Sequence, residues 1–131
     1  MREIKFRAMT LPPKDFADYK FTSEMVYGTG IFCDPINTWL YVHDSKLCMA
    51  DGLVKKIVKP ETIGQYTGLK DKNGKEIYEG DIIKGDGVSK VIFYDSSWCL
   101  QTKSWTFPFL DCAIDQCIVI GNIHENPELI Q

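Results

Sequence analysis

The sequence predicts a mostly β protein, either a small barrel or sandwich-like lobes of short antiparallel strands, with little helix. Three observations carry that expectation. Short runs rich in aromatic and β-branched residues recur along the 131-residue chain. Gly, Asp and Asn punctuate them at close spacing. No apolar pattern of helical period runs beyond about two turns.

Ile4, Phe6 and Ala8 alternate with Lys5 and Arg7, so residues 3–8 are expected as a half-buried strand. Pro12 and Pro13 have no N–H to give a ladder. Residues 10–20 are therefore expected as a loop, with one helical turn over 14–19. Residues 25–32 and 38–43 are expected to form a hairpin or two neighbouring strands around the turn Cys33-Asp34-Pro35-Ile36-Asn37. A turn over 43–46 leads to short strands at 47–49 and 53–58, either side of Asp51-Gly52. Residues 59–62 form a connection and the boundary between two lobes, 1–60 and 61–131, that share one compact unit.

The second lobe opens with a strand over 63–67. Asn73-Gly74 predicts a tight type I′ hairpin turn, since both central residues of that turn need positive φ. Glu79-Gly80-Asp81 is a second turn before a strand at 82–84, and Gly85-Asp86-Gly87 a third before a strand at 88–94. Residues 98–109 are aromatic and contain Pro108, which suggests a strand pair with an irregular edge. Residues 117–123 are apolar enough for a central strand. Asn126, Pro127 and Glu128 suit the start of one short terminal turn of helix.

Composition narrows the function classes. Hydrophobic residues make up 44% of the chain and charged residues 25%, which fits an ordered globular domain. The net charge of −3 argues against coating nucleic acid through bulk charge. No apolar run approaches the ~20 residues needed to cross a bilayer, and the first residues lack the apolar core of a secretion signal. The cytosol is the expected compartment. The five cysteines, Cys33, Cys48, Cys99, Cys112 and Cys117, are odd in number and contain no CxxC pair. They are expected to be small buried hydrophobes rather than a disulfide framework or metal site.

Few residues suggest chemistry. His43 and His124 each adjoin a carboxylate, but strand neighbours point to opposite faces. Both are expected as surface turn residues. Tyr66, Lys75, Tyr78, Glu79 and Asp81 could act as an acid–base group if they shared a cleft. Turn chemistry at Asp81 and cross-strand packing of the tyrosines account for them more simply. Gly85-Asp86-Gly87 and Gly28-Thr29-Gly30 match neither a phosphate loop nor a dinucleotide fingerprint. No cofactor or catalytic residue is expected.

Lys55, Lys56 and Lys59 form one basic cluster, and Lys70, Lys72 and Lys75 a second. With Tyr66 and Tyr78 they could make a strip for single-stranded nucleic acid. Asp71, Glu76, Glu79 and Asp81 interrupt the second cluster, which favours a solvated hairpin tip of mixed charge. The candidate binding surface is Tyr66, Lys70, Lys72, Lys75, Tyr78, Trp98 and Trp105.

Three stretches carry a family resemblance. They are MREIKFRA at 1–8, QYTGLKDKNGKEIYEGDII at 65–83 and VIGNIHENPEL at 119–129. In this order they resemble the YopX-like proteins of bacteriophages and prophages. Residue 9 departs from the pattern, being Met where Trp is frequent, and residues 11–23 and 98–109 match nothing in it. The resemblance implies a mostly β fold, a phage or prophage origin and no known reaction. The resulting expectation is a non-enzymatic accessory protein, acting in the bacterial cytoplasm as a homo-oligomer on a host or phage macromolecule. The alternatives are a small single-strand nucleic-acid binder and an enzyme with a carboxylate/tyrosine site.

Overall fold

Short apolar stretches ended by turn residues cannot bury themselves, and each pairs with a neighbour instead. The computed structural model describes residues 3–11, 23–43 and 53–130. Twelve strands lie among these residues, and the only helical elements are single 3-10 turns. The mostly β, antiparallel expectation is met. The chain divides into two compact units, Ile4–Gln65 and one that begins at Tyr66. The loop expected at 10–20 falls largely outside the described residues, and the helical turn at 14–19, the strand at 47–49 and Cys48 fall wholly outside them.

In Ile4–Gln65, β1 (Phe6–Met9) pairs antiparallel with β2 (Met25–Gly28) and, at Phe6 and Arg7, with Gln65 and Gly64. A second sheet runs in the order β3 (Gly30–Cys33), β4 (Thr38–His43), β5 (Leu53–Val58). Ala8, Val26, Leu40 and Val58 form the core of this unit. The 3-10 turn Pro60–Thr62 closes it, where the Thr62 hydroxyl accepts the Met9 amide at 2.9 Å.

Two expectations fail here. Residues 25–32 are not one strand, because the chain changes sheets at Thr29. Gly28 makes the change feasible. A Cβ there would stand 2.0 Å from the Tyr41 carbonyl oxygen, so only a residue without a side chain allows the backbone this close. The alternation of β1 also misleads. Arg7 is only 3% exposed, and Ile4, which lies before β1, is exposed, so polar and apolar residues here do not divide between solvent and core.

Tyr66 onward forms the second unit. β6 (Gly64–Lys70) pairs with β7 (Glu76–Tyr78). A five-stranded antiparallel sheet follows, in the order β11 (Thr106–Pro108), β10 (Ser97–Gln101), β9 (Val88–Tyr94), β8 (Asp81–Lys84), β12 (Ile118–Asn122). Its core is Ile77, Ile83, Val91 and Leu100, capped by Ile114 from a 3-10 turn. Trp98, Phe109, Cys112, Cys117 and Val119 pack around it.

The turns of this unit differ from expectation in one instructive way. Only Gly74 of the Asn73-Gly74 pair has positive φ, so the β6–β7 turn is not type I′. Asp71 organises a wider turn. Its Oδ1 accepts the Asn73 and Lys75 amides at 2.8 and 2.9 Å. The turn with two positive φ values, 51° and 63°, lies at Asp95-Ser96 between β9 and β10. β12 pairs only with β8, so it is a half-buried edge strand and not a central one. The terminal turn at Pro127–Ile130 is 3-10. Cys33 is exposed, contrary to the expectation for cysteine, whereas Cys99 is buried.

Candidate functional site

The residues expected to form a binding surface fall into three environments. Tyr66 and Tyr78 are cross-strand partners with ring centroids 5.4 Å apart. They are 5% and 2% exposed, so neither offers a face to a stacking ligand. Lys70, Lys72 and Lys75 are exposed on the β6–β7 hairpin. Trp98 is half-buried on β10, and Trp105 is exposed just before β11.

Two carboxylates near these tyrosines, Asp71 and Asp81, serve the backbone, while Glu76 Oε1 accepts the Tyr78 hydroxyl at 3.5 Å. Asp81 is buried and its Oδ2 accepts the Tyr78 amide at 2.8 Å. Asp71 was expected to be a solvated charge, yet it is buried and accepts three amides. None of Tyr66, Tyr78, Glu79 and Asp81 lines any of the three clefts described for this unit. His124 is half-buried in the turn after β12, where its amide donates to Asn122 Oδ1 at 3.0 Å. The His43 side chain lies outside what the structure describes.

The surface that stands out was not in the candidate set as a group. On β9 and β10, Val91 pairs with Leu100 and Phe93 pairs with Trp98. All four share one face because strand side chains alternate. Val91 and Leu100 are buried in the core. Two residues further along, the same row runs off the end of that core. Phe93 is exposed and stands edge-on to Trp98, with centroids 5.0 Å apart. The 3-10 turn Phe109–Asp111 then adds two residues. Phe109 packs on the core, while Leu110 points away and is 98% exposed.

With Leu69 from β6, these side chains line a shallow groove of about 610 Å³. No lining residue carries a charge. An exposed apolar patch with an aromatic pair at its centre has the composition of the buried middle of a protein interface. Periodicity placed Phe93 and Trp98 on strands. It could not show that the core ends between Val91 and Phe93.

The Ile4–Gln65 unit holds a different arrangement. The Asp34 carboxylate accepts the Trp39 indole N–H at 2.8 Å and the Ile36 and Asn37 amides at 2.8 and 2.7 Å. The Trp39 bond, then the two amides, and more weakly Lys55, hold this carboxyl below its ordinary value, against a small opposing effect of desolvation. The Lys55 ammonium lies 4.6 Å above the Trp39 ring and 5.7 Å from that of Phe32. These contacts lock the β3–β4 hairpin and occupy the Trp39 ring face.

Among the described residues no helix is long and apolar enough to cross a membrane. They also contain no cluster of three or more His, Cys, Asp or Glu side chains able to hold a metal ion.

The chain is similar over its full length to protein EF1440 from Enterococcus faecalis, known from a crystal structure. The two share 26% identity and superpose with a TM-score of 0.50, each covered completely. No curated protein matches the chain. The family described as YopX protein matches residues 17–131, a span that contains two of the three motifs quoted above and begins after 1–8. The chain belongs to the YopX family.

Proposed function

We propose that this protein is a non-enzymatic binding module that docks a partner protein on the Phe93–Trp98–Leu110 patch. One observation carries this reading: a leucine 98% exposed, beside an exposed phenylalanine set edge-on to a tryptophan, in a groove without a charged residue. Keeping such a surface in water forgoes about 25 cal/mol for every Å² that a partner could cover. The absence of charge favours protein over nucleic acid, because a nucleic-acid face needs cations near the phosphates. Burial of Tyr66 and Tyr78 also removes the rings that a single-strand binder would stack on the hairpin lysines.

The family supports a phage or prophage origin and, with it, action in the cytoplasm of a bacterial host. A second copy of the chain is one protein that the patch could seat. Like charge would not oppose that contact, because the face itself is uncharged.

The test places a photocrosslinking residue at position 110 in cells that make the protein. The captured protein is then purified and its binding to the chain measured directly. Leu110→Asp is expected to weaken that complex at least about tenfold. Ile36→Asp, a change at an exposed apolar residue of the other unit, should leave it unaltered. Light scattering identifies the case in which the captured protein is the chain itself. Equal binding by wild type and Leu110→Asp overturns the reading, as does salt-sensitive binding of labelled oligonucleotides at micromolar protein with no protein complex at position 110.

A further inference from the structure

The three-stranded sheet of the Ile4–Gln65 unit ends on β3, and the phase of the β3–β4 ladder decides what that edge presents. The Asp34 amide donates to the Asn37 carbonyl at 3.0 Å. The same register continues with Cys33 opposite Thr38, Phe32 opposite Trp39 and Ile31 opposite Leu40. Hydrogen-bonded and non-hydrogen-bonded pairs alternate along an antiparallel ladder. Phe32 therefore directs its N–H and C=O groups to β4, and Ile31 and Cys33 direct theirs outward. The far edge shows the same phase. The Ile57 carbonyl, opposite Trp39, is turned away from β4 and accepts the Leu11 amide at 2.9 Å.

The two edges are treated differently. Leu11, together with a bridge from Thr10 to Val58, covers β5. No described residue outside β4 bonds the backbone of Ile31 or Cys33. Ile31, Phe32 and Cys33 are all exposed. Open edges are commonly blunted by a charge or a proline. The edge strand β11 has Pro108, whereas β3, Gly-Ile-Phe-Cys, has neither device.

What fits this edge is set by its symmetry. The outward groups lie at Ile31 and Cys33, one residue either side of Phe32, so the edge reads alike from both ends. A two-fold contact requires such self-complementarity. A second β3 laid antiparallel puts Ile31 opposite the partner's Cys33 and Cys33 opposite the partner's Ile31. Phe32 then faces the partner's Phe32 as a non-hydrogen-bonded pair. Within one copy Phe32 already stands in a row with Trp39 and Ile57, and the pairing extends that row across the axis. The strand carries no charge, so two copies of net charge −3 meet where like charge does not oppose them.

We propose that this protein self-associates through β3, each copy extending the other's β3–β4–β5 sheet across a two-fold axis. The surface lies in the other unit from the Leu110 patch and does not depend on it.

Light scattering and amide hydrogen exchange of the full chain test this. The contact is small, so the mean mass should rise toward that of a dimer only between about 10 μM and about 1 mM protein. Over that range exchange of the Ile31 and Cys33 amides should slow at least about tenfold, while the Phe32 amide, bonded within the hairpin, is protected throughout. Ile31→Pro removes an outward N–H and spares the β3–β4 bonds, and Phe32→Glu opposes two like charges at the axis. Each should weaken self-association at least about tenfold. Leu110→Asp should not alter it.

Phe32→Cys in a Cys33→Ser background should give a disulfide-linked dimer on mild oxidation, because residues of a non-hydrogen-bonded pair lie within disulfide range. Ile36→Cys in the same background is more exposed but lies beyond the strand, and should not. A chain that stays monomeric up to about 1 mM overturns the proposal. So does a dimer whose Ile31 and Cys33 amides exchange freely, a dimer that survives Phe32→Glu, or equal crosslinking at positions 32 and 36. If Ile31→Pro does not fold, the exchange pattern of the unaltered chain and the Phe32→Glu variant decide the matter by themselves.

Discussion

Asp71 and Val119 lie 48 positions apart, and the Asp71 carboxylate accepts the Val119 amide at 2.9 Å. The other carboxylate oxygen closes the β6–β7 turn through the Asn73 and Lys75 amides. A single buried side chain therefore shapes a hairpin and also fastens it to the last strand of the sheet. Burial opposes the charge on Asp71. The Val119, Lys75 and Asn73 amides, together with the Lys75 charge, outweigh it and hold the carboxyl below its ordinary value of 3.8.

Asp71→Ala leaves these amides without their acceptor and should destabilise the protein by about 3 kcal/mol in urea unfolding. The sign of the pH effect follows from the depressed folded pKa. The stabilisation is complete above the ordinary carboxylate value and is lost as pH falls below it, through the folded value. Asp71→Asn should remove that part of the acid dependence. An unchanged acid limb in the Asn variant would show that other groups produce it.

Gly28→Ala should be more damaging than an alanine substitution usually is. Its Cβ would meet the Tyr41 carbonyl oxygen at 2.0 Å and the carbonyl carbon at 2.8 Å, both of them backbone atoms that cannot rotate away. A loss of about 3 kcal/mol or more is expected. Gly87→Ala is the control, since nothing lies within 4 Å of a Cβ there. Thermal unfolding of the two variants side by side gives the answer.

Ser96→Gly should raise stability. Asp95 and Ser96 hold φ of 51° and 63° between β9 and β10, a conformation that costs a non-glycine residue of the order of 1 kcal/mol. Glycine adopts it freely, and the gain should be about 0.5–1 kcal/mol. A lower melting temperature for this variant would mean that the Ser96 side chain matters more to the hairpin than its backbone strain does.

The cysteines should react in an order set by the fold. Cys33 is exposed and Cys99 buried, so iodoacetamide should modify Cys33 at least about tenfold faster. Burial, and then the charges of Asp86 and Asp115, push the Cys117 thiol above its ordinary value. Its alkylation should therefore rise at a more alkaline pH than that of an unperturbed thiol. Peptide mass spectrometry across a pH series reads both effects.

Much of this protein follows from neighbouring residues alone. Alternating aromatic and β-branched residues, interrupted by Gly and Asp, specify short strands and tight turns, because strand period and turn φ are properties of a few adjacent residues. Asp81 beside Gly80 was legible as a turn carboxylate for the same reason, and it accepts the Tyr78 amide. The motif at 65–83 was enough to suggest the family to which the chain belongs.

Burial had to wait for the tertiary structure. Tyr66 and Tyr78 look like surface aromatics among lysines, and Asp71 looks like a solvated charge, until distant strands cover them. Nothing in the local pattern shows that the core ends one residue pair before Phe93, or that Leu110 is left exposed. Residues 25–32 read as one ribbon, until Gly28 meets the Tyr41 carbonyl and the chain changes sheets. The physical reason is the same in each case. A side chain's conformation is set by its neighbours in sequence, but its exposure is set by partners dozens of residues away, which no local pattern records.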